Sequence, residues 1–116
     1  AAQRGAPVYV YYLTWETPVG NGLFKSPHTL DIPFMFHNVD KALALTGESA
    51  AARDLEQQMS GAWIAFARSG DPNTDALPDW PAYDARRRAT MVFDAPPRVE
   101  NDPKGEVRRL LGDARR

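Results

Sequence analysis

Cysteine is absent from the 116 residues, which excludes a disulfide framework and a thiolate metal site but leaves the compartment open. No apolar run approaches the ~20 residues that a membrane-spanning helix requires, so none is expected. Charge of one sign is missing too: 14 Lys and Arg stand against 15 Asp and Glu, a formal net charge of -1. That balance gives no electrostatic reason to expect nucleic acid or an anionic membrane as partner. The basic runs Arg86-Arg87-Arg88, Arg108-Arg109 and Arg115-Arg116 are short, and Asp84, Glu106 and Asp113 lie among them, so they read as solvated surface. No fixed-period repeat or low-complexity tract is present, which removes solenoid and disordered-tail architectures. The opening residues Ala1 to Ala6 lack an initiator Met and a signal-peptide pattern, and the chain is therefore expected to begin downstream of its natural start.

What remains is ordinary globular composition, enough for one domain with a modest core. Pro7 to Trp15 is a nearly unbroken apolar, aromatic and β-branched run, the pattern of a central strand buried on both faces. Glu16 to Pro27 holds two Pro, two Gly and an Asn, and predicts a long loop that leads to His28. After a short apolar stretch, Ile32 to Phe36, the clearest helix covers about Ala50 to Arg68, with Leu55, Met59, Trp63 and Phe66 on one stripe and Arg53, Glu56, Gln57 and Arg68 on other faces. Thr46 is a candidate N-cap for it, and Gly70 with Pro72 stops it. Trp80 to Tyr83 reads as extended and Thr90 to Phe93 as a short strand. Asp102-Pro103 reads as the N-cap and first residue of a last helix, with Val107, Leu110 and Leu111 on one face and Gly112 as its stop.

The expected order is strand, loop, helix, strand, helix, which makes the class α/β. One strongly apolar strand and one short late strand cannot cover the stripe of the main helix, and two-stranded sheets are marginal in water. The strand from Val8 to Leu13 is therefore expected to belong to a larger sheet. Trp63, Phe66, Tyr9, Tyr11 and Phe93 are expected in the core.

His28 is the first candidate for chemistry. It lies on the loop after the buried strand, where α/β sheets project their catalytic groups, and Asp31 follows three residues on. A lone His is more often a packed or surface residue, so position alone does not decide. A metal site from His28, Asp31 and His37 is the weakest alternative, because no fourth ligand or HExxH-type spacing accompanies them. Phe24, just upstream, is a weak candidate for a pocket wall and equally a packing anchor.

Three motifs narrow the choice. His28-Thr29-Leu30-Asp31-Ile32-Pro33-Phe34-Met35-Phe36 resembles the type B carboxylesterase and cholinesterase pattern of a His, an acid three residues later and an apolar run ending in Phe. Trp63 to Asn73 resembles that family's Trp-x-x-Phe-Ala-x-x-Gly-x-Pro-Asn stretch, and Trp80-Pro81-Ala82-Tyr83 its Trp-Pro-x-Tyr. The resemblance covers about Pro7 to Phe93. It implies the C-terminal portion of an α/β-hydrolase fold, an incomplete sheet with packed helices, and residues 1–116 as the C-terminal segment of such a domain. It places the catalytic His at His28 and an acid that supports the site from behind it at Asp31. Thr29 and His37 depart from the pattern, since many members have Gly at both places.

The function implied is hydrolysis of a small carboxylic ester by serine acyl transfer, with no cofactor, metal or nucleic-acid partner. In α/β-hydrolases the triad runs Ser, then acid, then His along the chain, so a segment with the His near its start is expected to lack both partners and to be inactive alone. Gly47-Glu48-Ser49-Ala50-Ala51 imitates a nucleophile elbow, but Ala51 replaces the second Gly, no strand leads in, and Ser49 follows His28 in the wrong order. Thr46-Gly47-Glu48 reads as helix initiation instead. A different class, a non-catalytic cholinesterase-like adhesion or interaction domain, is the alternative, since the His can persist there. A short gene product that folds poorly is a third. Oligomeric state and localisation are not specified by these residues.

Overall fold

The computed structural model describes residues 5–114. Three strands form one mixed sheet in the order β1 (Tyr11–Leu13), β2 (Ala89–Phe93), β3 (Arg98–Asn101). β1 runs parallel to β2, with Tyr11 beside Met91 and Leu13 beside Phe93, whereas β2 and β3 are antiparallel, with Ala89 beside Asn101 and Val92 beside Arg98. The strand expected at the centre is thus an edge strand among the described residues. β2 occupies the centre, and every one of its five residues is buried. Extended backbone continues before β1, where the Val8 carbonyl accepts from Tyr83 N–H at 2.7 Å and the Val10 carbonyl from Met91 N–H at 2.9 Å.

β3 went unforeseen because Arg98-Val99-Glu100-Asn101 carries charge instead of an apolar run. Charged side chains are what an edge strand uses to discourage pairing with another chain, and Arg98 Nε donates to Glu100 Oε1 at 2.6 Å.

Four α-helices accompany the sheet among the described residues: α1 (Asp31–Met35), α2 (Leu43–Thr46), α3 (Ala50–Ser69) and α4 (Gly105–Asp113). The N-cap of α3 is Ser49, whose Oγ accepts from Ala52 N–H at 3.1 Å, and not Thr46, which is buried at the end of α2. Gly70 closes α3 in the left-handed conformation, as its position suggested. The inward face of α3 is Ala52, Leu55, Glu56, Met59, Ser60 and Ala62. Trp63 is 45 % and Phe66 43 % exposed, so the far end of the expected stripe lies at the rim. Small residues on the inward face let the helix approach α1, and Glu56, expected outside, is buried because its Oε1 accepts from Val39 N–H at 2.8 Å.

The core gathers Trp15, Leu30, Phe34, Val39, Leu55, Met59, Trp80, Met91 and Phe93. Phe93 is fully buried as expected, while Tyr9 and Tyr11 are only partly so. α4 starts two residues later than expected. Lys104 is its N-cap residue, Asp102 has φ 52°, and Gly112 lies inside the helix. Its apolar residues Val107, Leu110 and Leu111 are exposed.

Candidate active site

Parallel pairing of β1 and β2 puts the carboxyl ends of both strands on the same side of the sheet, and the loop after β1 leaves from there. Thr14 and Trp15 N–H groups both donate to the Phe93 carbonyl, which anchors the loop root to β2. Thr17 N–H closes the loop on the Lys25 carbonyl at 2.9 Å, and Thr17 Oγ1 donates to the Leu45 carbonyl at 2.6 Å, tying the loop to α2. Gly47 permits that approach, since a Cβ there would lie 3.2 Å from Pro18 Cγ at a φ of +67°.

The returning loop delivers His28 into a tight turn in which Leu30 N–H donates to the Pro27 carbonyl at 3.2 Å. His28 is exposed, and Leu30, two residues on, is fully buried. The imidazole is thus presented to solvent from a backbone nailed to the core.

Asp31 begins α1, immediately after that turn. Its carboxylate faces β1 and accepts from Tyr11 Oη at 2.8 Å. No hydrogen bond joins Asp31 to His28 among the described residues; the acid holds α1, and with it the His28 turn, against the strand. Tyr11, which sequence reasoning placed only in the core, is therefore the residue it missed at this site. Burial, then the Asp31 carboxylate as acceptor and as charge, push the Tyr11 hydroxyl up to about 12 from 10.0. A raised pKa favours the neutral phenol in the folded chain. Its contribution is complete below pH 10 and lost as pH rises through about 12. Tyr11 is only half-buried and solvent screening keeps the contribution small. Unfolding followed by circular dichroism from pH 9 to 12 should fall less steeply for Tyr11→Phe than for the parent; parallel curves would contradict the pairing.

Both departures from the family pattern prove to be backbone positions. Thr29 has φ 70°, as the third residue of a type II turn requires, and His37 has φ 52°. His37 follows α1 in a Schellman closure, with Asn38 N–H donating to the Pro33 carbonyl at 3.0 Å and His37 N–H to that of Phe34. The left-handed region costs an L-residue roughly 1–2 kcal/mol, partly offset by the extra chain entropy of Gly when unfolded. Thr29→Gly and His37→Gly should each raise the unfolding free energy by about 0.5–1 kcal/mol in urea titrations. A loss of stability in both would contradict the turn assignments.

His37 is exposed, with Nδ1 3.2 Å from Ser60 Oγ, and does not converge on His28 and Asp31. No group of three His, Asp or Glu suited to a metal occurs among the described residues, and no helix there is long and apolar enough to cross a membrane. Phe24 is 60 % exposed and folds over Gly20, where a Cβ would meet its ring at 2.9 Å. An apolar cavity of about 260 Å³ lies between β1, α3 and Trp80, bordered by Tyr9 and Tyr11, and no carboxylate, imidazole, Lys or Arg lines it. Ser49 Oγ is engaged in capping α3 and follows no strand.

Against known proteins, the model of the carboxylesterase family matches residues 1–110. Para-nitrobenzyl esterase of Bacillus subtilis (strain 168) is 36 % identical over 113 residues, covering 96 % of this chain and 23 % of the esterase. Phenmedipham hydrolase of Pseudarthrobacter oxydans is 32 % identical over 90 residues, 74 % of this chain and 18 % of that protein. Among solved structures, an esterase from Clostridium hathewayi that hydrolyses aliphatic aromatic polyesters superposes with a TM-score of 0.85 at 35 % identity, over 97 % of this chain and 22 % of its own. The Geobacillus stearothermophilus carboxylesterase EST55 gives 0.77 at 40 % identity, over 93 % and 22 %. The chain thus spans less than a quarter of the length of these relatives.

Proposed function

Because the chain belongs to the carboxylesterase family and folds as part of an α/β hydrolase, we propose that it supplies the general acid-base His28 to a serine carboxylic ester hydrolase. The nucleophilic Ser and the triad acid come from protein outside these 116 residues, for which this chain is the C-terminal segment. The observation that carries the reading is the presentation of His28: exposed, on a turn at the carboxyl end of β1, between a loop anchored to β2 and a helix pinned to β1 by Asp31 and Tyr11. In acyl transfer His28 takes the Ser proton as the hydroxyl attacks the ester carbonyl, then returns it to the leaving alcohol. Water repeats the exchange on the acyl-enzyme. Asp31 acts behind it as a positioning residue, holding α1 and not the imidazole.

The substrate class is a small carboxylic ester, a reading supported by the para-nitrobenzyl esterase and the polyester-hydrolysing esterase among its relatives. The test is a chimaera in which this chain replaces the matching segment of the Bacillus esterase. It should hydrolyse a nitrophenyl ester while the 116 residues alone stay at the buffer rate. A folded chimaera without turnover would overturn the proposal.

A further inference from the structure

The opposite end of the sheet holds a second concave site, whose charged side chains ester hydrolysis does not use, although Tyr11 borders it. β2 begins there and β3 ends there, so the cleft lies across the sheet from the His28 turn. Its volume is about 210 Å³, and its walls carry Arg88, Lys104 and Arg108 against one carboxylate, Asp102. Tyr11, Tyr12, Tyr83 and Thr90 supply the remaining polar and aromatic surface.

Asp102 is hydrogen-bonded to only one of the three cations, Arg108, although Arg88 also lies within reach of its charge. Arg108 holds it in a fork, Nη2 to Oδ2 at 2.8 Å and Nε to Oδ1 at 3.2 Å, which keeps Asp102 well below the usual carboxylate range. Arg88 is half-buried and donates from Nη1 to the Tyr83 hydroxyl at 2.8 Å, and no carboxylate among the described residues hydrogen-bonds it. Lys104 Nζ sits 5.0 Å from the centre of the Tyr12 ring and has no anionic partner among the described residues. The cleft therefore has a formal excess of two positive charges.

Two of these residues also hold uncommon backbone. Arg88 and Asp102 both have φ 52°, and the Asp102 N–H donates to the Arg88 carbonyl at 3.0 Å. The strained pair ends the β2–β3 ladder, and its side chains face the same cleft. Left-handed backbone at non-Gly residues persists where the surroundings impose it, and such positions gather at ligand clamps.

We propose that this cleft binds a small multivalent oxyanion of the phosphate or pyrophosphate class. The guanidinium of Arg88 offers the paired donors that oxyanions match, and Lys104 adds a mobile point charge at the mouth. The site stands independently of the esterase reading.

Calorimetric titration of the folded chimaera with the Bacillus esterase, in which this chain sits in a complete domain, tests it with pyrophosphate, with chloride at matched ionic strength and the unmodified Bacillus esterase as controls. Saturable one-to-one binding is expected for pyrophosphate and none for chloride. Arg88→Asn, chosen because Asn tolerates left-handed backbone, and Lys104→Gln, at an exposed position, should each weaken binding by about tenfold or more. Absence of saturable binding, equal heat with chloride, or unchanged affinity in Lys104→Gln together with Arg88→Asn would overturn the proposal. If Arg88→Asn unfolds by circular dichroism, Lys104→Gln alone decides.

Discussion

In the chimaera with the Bacillus esterase, His28→Ala should lower kcat by at least about 1,000-fold while KM changes little. The magnitude follows from what the imidazole does: without it, the Ser hydroxyl must attack with its proton in place and the alkoxide must leave unprotonated. Binding and oxyanion stabilisation survive the change, so residual turnover above buffer is expected. The His28 ring is not part of the core of this chain, so its removal should leave the fold intact, and circular dichroism of the chimaera separates lost chemistry from lost structure. Asp31→Asn provides the contrast. Its carboxylate meets Tyr11 and not His28, so the expected effect is a few-fold loss of kcat with some loss of stability. Turnover of His28→Ala within a few-fold of the parent would remove His28 from the reaction. An Asp31→Asn effect as large as that of His28→Ala would move Asp31 from positioning into the proton-transfer path.

Legibility of the fold varied with how much each signal depends on distant residues. α3 was readable because twenty residues of periodicity and a Gly stop are local properties. Its inward face was less so: Trp63 and Phe66 follow the periodicity yet lie at the rim, while Glu56 breaks it and is buried. A hydrogen bond to Val39 N–H, supplied by a segment seventeen residues earlier, outweighs the cost of burying that carboxylate. Local reading has no access to such a partner. The same limit explains β1. An apolar strand announces burial, but which neighbours cover it is a property of the sheet, and β2 took the centre among the described residues.

The candidate site was legible in identity and not in wiring. The His-x-x-acid spacing pointed to His28 and Asp31, and the backbone places them on consecutive turns, but the bond from Tyr11 to Asp31 spans twenty residues and leaves no local trace. Two other motifs of the resemblance turn out to be one structural device. Asn73 receives the Trp80 N–H on Oδ1 at 2.7 Å and donates from Nδ2 to the Trp80 carbonyl at 2.8 Å, so the Gly-Asp-Pro-Asn stop of α3 clasps the Trp-Pro-x-Tyr segment. Trp80, held this way, packs edge-on against Tyr9 and Phe93 at 5.8 Å each. Motifs that look separate along the chain thus meet in space, each completing hydrogen bonds of the other.

Phe34→Ala should destabilise the chain by about 3–5 kcal/mol, against an expected change within about 0.5 kcal/mol for Phe36→Ala two residues on. The two rings end the same apolar run and are chemically identical, yet Phe34 is fully buried and Phe36 is 70 % exposed. Phe34 meets Trp15 edge to face, with centroids 5.4 Å apart and planes at 90°, which joins α1 to the loop root just past β1. Truncation leaves a cavity between those elements as well as forfeiting the transfer energy of the ring. A loss of that size approaches the whole stability of a small domain, which is about 5–15 kcal/mol, so the urea midpoint should fall steeply. The consequence reaches His28, because α1 is fastened at one end by Asp31 to Tyr11 and at the other by this aromatic pair. In the chimaera, Phe34→Ala should therefore lose activity in step with the folded fraction, whereas His28→Ala loses it while fully folded. Equal urea midpoints for Phe34→Ala and Phe36→Ala would show that α1 is not seated on Trp15 and that the turn carrying His28 is held by the strand contact alone.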